Sequence, residues 1–438
     1  MDVVELLGNL IEIRSVNDPS KGEKAGPECA KYIRDYLIDK GLPAEIIESN
    51  GYYSVYGILG KGSPIILLMA HYDTVPVVPE EWSYDPFKLT IVEGKGYGRG
   101  VTDDKGNIAS IIIALTRLKD RVKDFTLIYA FTGDEEIGGR NGAKVIRDML
   151  LNNNLRPDYV INGDGIGLNI IIRRRCIFKT RIRIKELKVK IRGVKHSKTF
   201  RLRTPIYKTG HAAYFTPGVD THPFIEASYY QRVNNLYVSR IQGSFVKSNV
   251  LPSWVKVDFV SEDPKGNEIE VDENLTKILR ALLPLSRCNI ESELFSEYGV
   301  TITPNYYVYK NNEHILELDI RAMTTNVEKV KETLENTLRN LEVDAELEVE
   351  GGTGYLYTPK DSKIVNIALN TLKDLGIKPK VVELLGASDS RYYSTLGIEC
   401  IDIGPIGGNV HGPNEYVELW SLYKLVEFYQ RMPLALRV

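Results

Sequence analysis

Short apolar runs that do not alternate with polar residues constrain the fold of this chain more than any other feature. In the first third of the chain, three such runs read as buried strands: SPIILLMAH, FTLIYAFTG and DYVINGD. The segments between them have helical periodicity, as in NIASIIIALTRLKD and GAKVIRDMLLNNN. Strands that are apolar on both faces and separated by helices indicate a mostly parallel sheet with helices on both faces.

The same α/β pattern stops in the middle of the chain and returns near its end, in SKIVNIALNTLKDLG, GIECIDIGP and WSLYKLVEFYQRM. In between, stretches such as HILELDIRAM alternate, and NVEKVKETLENTLRNL reads as a helix. At 438 residues the chain is also too long for one ordinary core. We therefore expect an α/β domain made of residues 1–177 and 352–438, interrupted by an α+β domain at 178–351.

Charge and cysteine usage exclude several classes of protein. The formal net charge of -2 argues against a nucleic-acid partner. The basic run at Arg173, Arg174 and Arg175 continues to Arg192 with charges that alternate with Ile, Leu and Val, so we interpret it as the solvated face of a strand. No window is apolar enough to cross a membrane, and the first residues do not resemble a secretory signal. Four widely spaced cysteines suit reduced thiols, which predicts a cytoplasmic protein.

The first buried run ends in AHYDTVPV, with His71 followed two residues later by Asp73. Residues i and i+2 of a strand point to the same face, so these two side chains project together. A metal-bound histidine commonly gives its second N–H to such a carboxylate. A satisfied polar strand end is the simpler alternative, and the pair alone does not decide between them.

Further histidines and carboxylates follow the other predicted strands or precede the next helix. They are Asp103 and Asp104 in GRGVTDDKG, Asp134, Glu135 and Glu136 in TGDEEIGG, Asp164 in NGDGIG, and His411 and Glu415 in HGPNE. Each one alone reads as a helix cap or a turn residue. All of them, however, lie beyond the carboxyl ends of predicted parallel strands, where open α/β sheets build their sites. Together they predict a site for two divalent metal ions.

The ordered set AHYDTVPV, GRGVTDDKG, TGDEEIGG, NGDG, GASDSRYY and HGPNE resembles a family of dinuclear zinc hydrolases. That family comprises acetylornithine deacetylase, succinyl-diaminopimelate desuccinylase, aminoacylase and glutamate carboxypeptidase. The resemblance implies a zinc-peptidase-like α/β domain interrupted by a ferredoxin-like domain that acts as a lid and forms a homodimer. It also implies two bound zinc ions, although cobalt or manganese would suit the same ligands.

The resemblance further implies which residues bind the metals. His71, Asp103 and Asp164 would hold one ion, and Asp103, Glu136 and His411 would hold the other. Asp103 would then bridge the two ions. The neighbouring Asp104 does not match a ligand position.

Catalytic roles follow from the same resemblance. Glu135 matches the general base, Asp73 the carboxylate that orients the metal-binding histidine, and His211 the lid histidine that reaches the reacting carbonyl. We interpret His196 and His222 as ordinary lid histidines.

Two substrate-binding positions match by resemblance, Asn249 in SNVLP and Arg321 in LELDIRAM, where the arginine would grip a substrate carboxylate. The chain departs from the family pattern between them, because roughly forty to fifty residues around 262–299 look inserted. Asp164 also stands where the biosynthetic deacylases carry glutamate. Aspartate at this position is closer to the aminopeptidase-type relatives.

The predicted activity is hydrolysis of an amide bond in a small N-acyl amino acid or a short peptide. Hydroxide bridging the two zinc ions would attack the carbonyl, with Glu135 as the base. Hydrolysis of a carbamoyl or ureido bond at the same site is the alternative. A non-catalytic binding homologue is a further alternative, but such a protein would have lost ligands or the base, and this chain keeps them all.

Overall fold

The computed structural model describes residues 2–205, 211–292 and 300–437. The chain forms two compact units. The outer unit consists of Met1–Arg174 and Tyr355–Val438, and the inserted unit of Arg175–Gly354. Within the described ranges, no helix is both long and apolar enough to span a bilayer.

The first segment of the outer unit contains four helices and eight strands. Its helices are α1 (Val3–Glu12), α2 (Pro27–Asp39), α3 (Lys105–Leu118) and α4 (Ala143–Asn152). Its strands are β1 (Glu45–Ser49), β2 (Tyr52–Leu59), β3 (Ile65–His71), β4 (Thr90–Val92), β5 (Lys95–Tyr97), β6 (Thr126–Thr132), β7 (Tyr159–Asn162) and β8 (Ile170–Arg174). Short 3-10 turns occupy Pro79–Glu81, Lys119–Arg121 and Glu135–Ile137.

The inserted unit has eight described strands and three described helices. The strands are β9 (Cys176–Lys185), β10 (Lys188–Arg201), β11 (Tyr237–Gly243), β12 (Trp254–Glu262), β13 (Asn267–Asp272), β14 (Thr301–Lys310), β15 (Glu313–Ala322) and β16 (Glu346–Gly351). The helices are α5 (Pro223–Asn234), α6 (Glu273–Ser286) and α7 (Val327–Asn340), and a 3-10 turn covers Ala212–Tyr214.

The chain then returns to the outer unit. The returning strands are β17 (Leu356–Tyr357), β18 (Val381–Glu383), β19 (Glu399–Asp402), β20 (Gly407–Gly408) and β21 (Tyr416–Glu418). The returning helices are α8 (Lys363–Asp374), α9 (Arg391–Ser394) and α10 (Leu419–Leu436).

The main sheet of the outer unit has the order β1-β2-β6-β3-β7-β19-β8-β17, with β18 also paired to β8. Its centre is parallel, because β3 runs parallel to β6 and β7, and β7 parallel to β19. The pairs β1–β2, β2–β6, β8–β19 and β8–β17 are antiparallel. The sheet is therefore mixed, and the expectation of a mostly parallel sheet is met at its centre and in the β8–β18 pair. A smaller sheet has the order β20-β21-β5-β4.

Helices cover both faces of the main sheet, as the apolar runs predict. Alternate residues of β3 enter different clusters: Leu68 packs with α1, α3 and α10, whereas Leu67 and Met69 pack with α4. Strands with two buried faces must be apolar throughout. The register pairs His71 with Thr132 and Met69 with Asn162, so the carboxyl ends of β3, β6 and β7 lie along one edge of the sheet.

The inserted unit contains two β structures. An antiparallel sheet has the order β14-β15-β9-β16, with α6 and α7 packed against its strands. This strand order and its two helical crossovers match a ferredoxin-like βαββαβ arrangement. Between β9 and α6 the chain forms a closed barrel, β10-β12-β11-β13. Of the segment that looked inserted, residues 262–292 hold the end of β12, β13 and α6, and residues 293–299 lie outside the described residues.

Candidate metal centre

The Asp103 carboxylate lies between two histidines at the carboxyl edge of the main sheet. Nε2 of His71, the last residue of β3, is 2.9 Å from Oδ1 of Asp103. Nε2 of His411 is 3.0 Å from Oδ2 of the same carboxylate. His411 lies between β20 and β21 with a backbone φ of 62°. Each oxygen of Asp103 thus faces one imidazole, which is the arrangement that a ligand shared by two ions requires.

The carboxylate of Asp73 holds the backbone of Glu135 and Glu136 in position. Both glutamates lie in the 3-10 turn that follows β6, and their backbone N–H groups each donate to one carboxylate oxygen of Asp73 at 3.1 Å. Asn17 donates a further bond to Asp73 at 2.7 Å. Asp73 is fully buried, so this carboxylate sets the position of the turn.

The relation between His71 and Asp73 differs in detail from the sequence expectation. Nδ1 of His71 lies 3.1 Å from the backbone oxygen of Asp73 and 3.4 Å from its carboxylate. The backbone oxygen is therefore the nearer partner of the ring. The carboxylate is mainly occupied by the N–H groups of the glutamate turn.

Glu136 and Asp164 complete the cluster. Oε2 of Glu136 lies 3.1 Å from Nε2 of His411. Two triads have potential ligand atoms that all lie within 4.8 Å of one another: His71, Glu135 and Asp164, and His71, Asp103 and Glu136. The structure thus brings together all five residues predicted to bind metal.

Close backbone packing positions Asp164. Gly163 precedes it, and a Cβ added at Gly163 would lie 2.6 Å from Cβ of Asn107 in α3. The N–H of Gly163 donates to the backbone oxygen of Met69 at 2.7 Å. Only glycine permits this approach, which keeps the end of β7 against both α3 and β3.

Opposite charges control the protonation of the two histidines. Coulombic attraction to Glu136 holds the pKa of His411 well above its ordinary value. Burial lowers the pKa of His71, but hydrogen bonds to Asp103 and Asp73 outweigh burial and raise it well above that value. Burial raises the pKa of Asp103, and the bonds to both histidines reverse the shift and leave it well below its usual range.

The other two carboxyl groups of the cluster, Glu135 and Asp164, have raised pKa values. Burial raises the pKa of Glu135 to about 8, and the negative charge of Asp389 adds to this shift. Burial also raises the pKa of Asp164 well above its usual range, with Glu135 and Asp103 adding to the effect. Without further cations this cluster holds its negative charge at a cost in free energy, which favours the binding of positive ions.

Glu415 organises the loop that carries Asp103. Its carboxylate accepts backbone N–H bonds from Gly100 at 3.0 Å, Thr102 at 2.9 Å and Asp103 at 3.2 Å. Arg99 forms a buried ion pair with it at 2.5 Å. The sequence placed Glu415 in the cluster, and the structure makes it a buried support for the loop.

Two buried arginines near the cluster have no counterpart in the sequence predictions. Arg173 and Arg174 are both buried, with Arg174 between Asp164 and Asp402, so the assignment of this run to a solvated strand face is wrong for both. Nη2 of Arg391 lies 3.7 Å from Glu135 and 3.4 Å from Asp389. Arg391 belongs to GASDSRYY, a motif that was recognised without a role. The signal for Arg174 was its position at the end of a strand that begins with three isoleucines, all of them buried.

Two of the predicted residues of the inserted unit, His211 and Asn249, lie on adjoining segments. His211 pairs with Val250 in a short antiparallel bridge, and the N–H of Ala212 donates to the backbone oxygen of Asn249 at 2.9 Å. Nδ1 of His211 accepts the N–H of Ala213 at 3.0 Å. His211 and Asn249 are therefore neighbours in space.

Arg321 and the two other histidines lie elsewhere in the inserted unit. Arg321 is buried in β15 and forms a bidentate ion pair with Asp319, at 2.7 and 3.1 Å. His222 caps α5 through Nδ1 and bonds Asn305 through Nε2 at 3.0 Å. His196 packs against the rings of Tyr230 and Phe259.

A family model for the peptidase family M20/M25/M40 matches residues 67–435 of the chain. The chain belongs to this family. Succinyl-diaminopimelate desuccinylase of Rickettsia bellii (strain RML369-C) is 26% identical over 436 residues, which cover 97% of this chain and 94% of that protein. The motif-based resemblance is thereby confirmed.

Solved structures share the M20 fold over the whole chain. Aminoacylhistidine dipeptidase from Vibrio alginolyticus has a TM-score of 0.70 and 14% identity, covering 98% of this chain and 96% of that one. The YXEP protein of Bacillus subtilis, described as a dinuclear metal binding peptidase, has a TM-score of 0.53 and 14% identity, covering 100% and 98%. The α/β fold predicted from the sequence is confirmed, and so is the prediction that the protein is a metallohydrolase.

The residues of this M20 chain fit a pair of divalent ions. Imidazole nitrogen and carboxylate oxygen form the ligand set that zinc, cobalt and manganese share. Burial and neighbouring carboxylates raise the pKa values of Glu135 and Asp164, so bound cations would stabilise the ionised cluster. Asp103 lies between His71 and His411, where a ligand shared by two ions would be needed.

Proposed function

We propose that the protein is a metal-dependent amidohydrolase that cleaves an amide bond in a small N-acyl amino acid or a short peptide. The observation that supports this most is the Asp103 carboxylate, whose two oxygens each face a histidine. Glu135, the residue that would act as base, lies within reach of the same cluster.

The proposed ligands are those expected from the sequence. His71, Asp103 and Asp164 would hold one ion, and Asp103, Glu136 and His411 the other. Zinc is the proposed native metal. Two such ions would supply an acidified water as nucleophile and would polarise the scissile carbonyl.

Glu135 would carry the proton. It would accept a proton from the attacking water and deliver it to the nitrogen of the leaving amine as the amide bond breaks. A carboxylate whose pKa is raised to about 8 by burial and by Asp389 is a stronger base than an ordinary glutamate. Asp73 would keep Glu135 and Glu136 in place, since their backbone N–H groups both bond its carboxylate.

The inserted unit would supply the groups that bind the substrate. His211 would stabilise the oxyanion, from the same chain or from the partner in a homodimer, and Asn249 next to it would contact the substrate. Arg321 would serve a substrate carboxylate only by sharing its guanidinium with Asp319, which already binds it. The desuccinylase and dipeptidase names of the relatives support this class of substrate. We further propose a cytoplasmic location.

The test measures release of free amine from N-acyl amino acids, dipeptides and N-carbamoyl amino acids, with and without added zinc or cobalt. Glu135→Gln should lower kcat by about a thousandfold, within the range of general base catalysis, while both metals stay bound. Glu268→Gln is the matched control, because Glu268 is exposed in the inserted unit and pairs only with Lys190 among the described contacts.

The possible results of this assay distinguish the proposed amidohydrolase from its alternatives. Full activity in Glu135→Gln would refute the base assignment. Turnover confined to the N-carbamoyl compounds would move the activity to the ureido class. Two bound metals without turnover of any substrate would favour a non-catalytic binding protein.

A further inference from the structure

Two neighbouring arginines at the end of β8 are both buried but have different partners. The side chain of Arg173 is 10% exposed and pairs at 2.7 Å with Glu383, whose side chain is 46% exposed. Arg174 points to the other face of the strand, where its side chain is 6% exposed and lies between Asp164 and Asp402. Consecutive residues of a strand face opposite sides, so Arg173 pairs with a partly exposed glutamate and Arg174 with two carboxylates at the end of the sheet.

The Arg174 guanidinium joins three segments of the outer unit. Its Nη2 donates to the Asp164 carboxylate at 3.0 Å and also to the backbone oxygen of Asp164. Its Nε donates to Asp402, at the end of β19, at 2.6 Å. Its Nη1 reaches the backbone oxygens of Gly386 and Ala387 at 3.4 and 3.5 Å.

Asp402 anchors this arginine rather than serving a metal. It is fully buried, and its second oxygen accepts bonds from Ser390 and Asn162. Protein groups thus satisfy both oxygens of Asp402. Asp164 instead bonds Arg174 through Oδ1, and its Oδ2 remains for a ligand.

We propose that Arg174 is a positioning residue for the metal centre: it fixes the side chain and the backbone of Asp164 and thereby sets the affinity of one of the two ions. The proposal rests on the proposed function, in which Asp164 is a ligand. The ion pair neutralises one of the two buried carboxylates, so that one negative charge remains for the metal. Partners of metal ligands commonly affect metal affinity by about 10- to 100-fold.

The first test compares Arg174→Lys and Arg174→Met with Arg173→Lys and Arg173→Met. Zinc stoichiometry and affinity are measured by competition with a chromogenic chelator, and cobalt loading by its visible absorption, without any substrate. The Arg174 variants should lose about 10- to 100-fold in affinity at one site and retain the other. Lysine cannot make the forked contact, so its loss should approach that of methionine. The Arg173 variants should bind both ions as the unmodified protein does.

A second variant guards against a purely structural effect. Arg174→Met leaves Asp402 buried without its cation, which by itself lowers the stability of the fold. Combining it with Asp402→Asn removes that charge and should restore thermal stability, yet the weakened metal site should stay weak. Recovery of two sites of normal affinity in the double variant, or normal affinity in both Arg174 single variants, would overturn the proposal. Failure of the unmodified protein to bind two ions would overturn the proposed function as well.

Discussion

Each unit of the molecule contains a histidine–carboxylate cluster, and the two clusters differ in their balance of charge. In the inserted unit, His314 bonds the hydroxyl of Tyr307 at 2.9 Å and the carboxylate of Asp272 at 2.8 Å. The other oxygen of Asp272 accepts the N–H of Leu275 at 2.9 Å, which caps α6. One imidazole therefore meets one carboxylate, and their polar atoms satisfy each other.

The metal centre of the outer unit has a surplus of carboxylates. Two histidines, His71 and His411, stand among Asp103, Glu135, Glu136 and Asp164. Both clusters would look alike in a short stretch of sequence, since each places a histidine near an acidic residue. The comparison teaches that surplus negative charge, rather than the presence of a histidine–carboxylate pair, distinguishes a metal site from a structural ion pair.

Removing the central carboxylate tests the outer cluster. We expect Asp103→Ala to lose at least one metal and to lower kcat/KM by about a thousandfold or more, which corresponds to about 4 kcal/mol. The reason is that both histidines lose the group that joins them. Metal content by mass spectrometry and amine release measure the two effects. Two tightly bound ions in this variant would contradict the shared-ligand role.

The same change in the inserted unit should act on stability instead. Asp272→Ala removes the partner of His314 and the cap of α6, and should lower the free energy of unfolding by about 3 to 5 kcal/mol. Denaturant unfolding measures this loss, and metal content should remain that of the unmodified protein. If Asp272→Ala lost metal and kept its stability, the assignment of this cluster to a structural role would be wrong.

A histidine with no acidic partner in its described contacts gives the smallest effect and sharpens the comparison. His222 bonds the neutral Asn305, and burial lowers its pKa to about 4, despite that bond. The unfolded chain therefore binds a proton at His222 before the folded chain does, so stability falls as the pH drops from about 6.5 to about 4. The loss approaches about 3 kcal/mol at the lower end.

His222→Asn is the matched variant for this pH effect, because asparagine can still cap α5 and does not titrate. Denaturant unfolding of both proteins between pH 7 and pH 4 should show a steeper decline in the unmodified protein. Parallel declines would mean that His222 titrates in the folded state as it does in the unfolded one.

The sequence predicted the parts of the molecule that depend on local pattern. The apolar runs located β3 and β6, and the polar residues after them located His71 and the glutamate turn. The antiparallel edges of the sheet could not be predicted in this way, because the pairing of β2 with β6 and of β8 with β17 depends on tertiary contacts.

Long-range contacts explain what the sequence missed at the site. Arg174 was misinterpreted because its partner Asp402 is 228 residues away. Glu415 supports the Asp103 loop across more than 300 residues of sequence, and neither GRGVTDDKG nor HGPNE indicates this contact by itself. Spacing rules detect ligands at strand ends, but they cannot show which distant side chain holds a loop in shape.

That support also bears on how the chain matures. Glu415 holds the loop from Gly100 to Asp103, and the two partners are 315 residues apart in the bond to Gly100. During synthesis, His71, Asp103, Glu136 and Asp164 therefore emerge from the ribosome long before Glu415, the residue that holds the Asp103 loop. A nascent chain cannot complete the centre until the inserted unit has been made and the last strands have emerged, so the cluster is assembled late in biosynthesis.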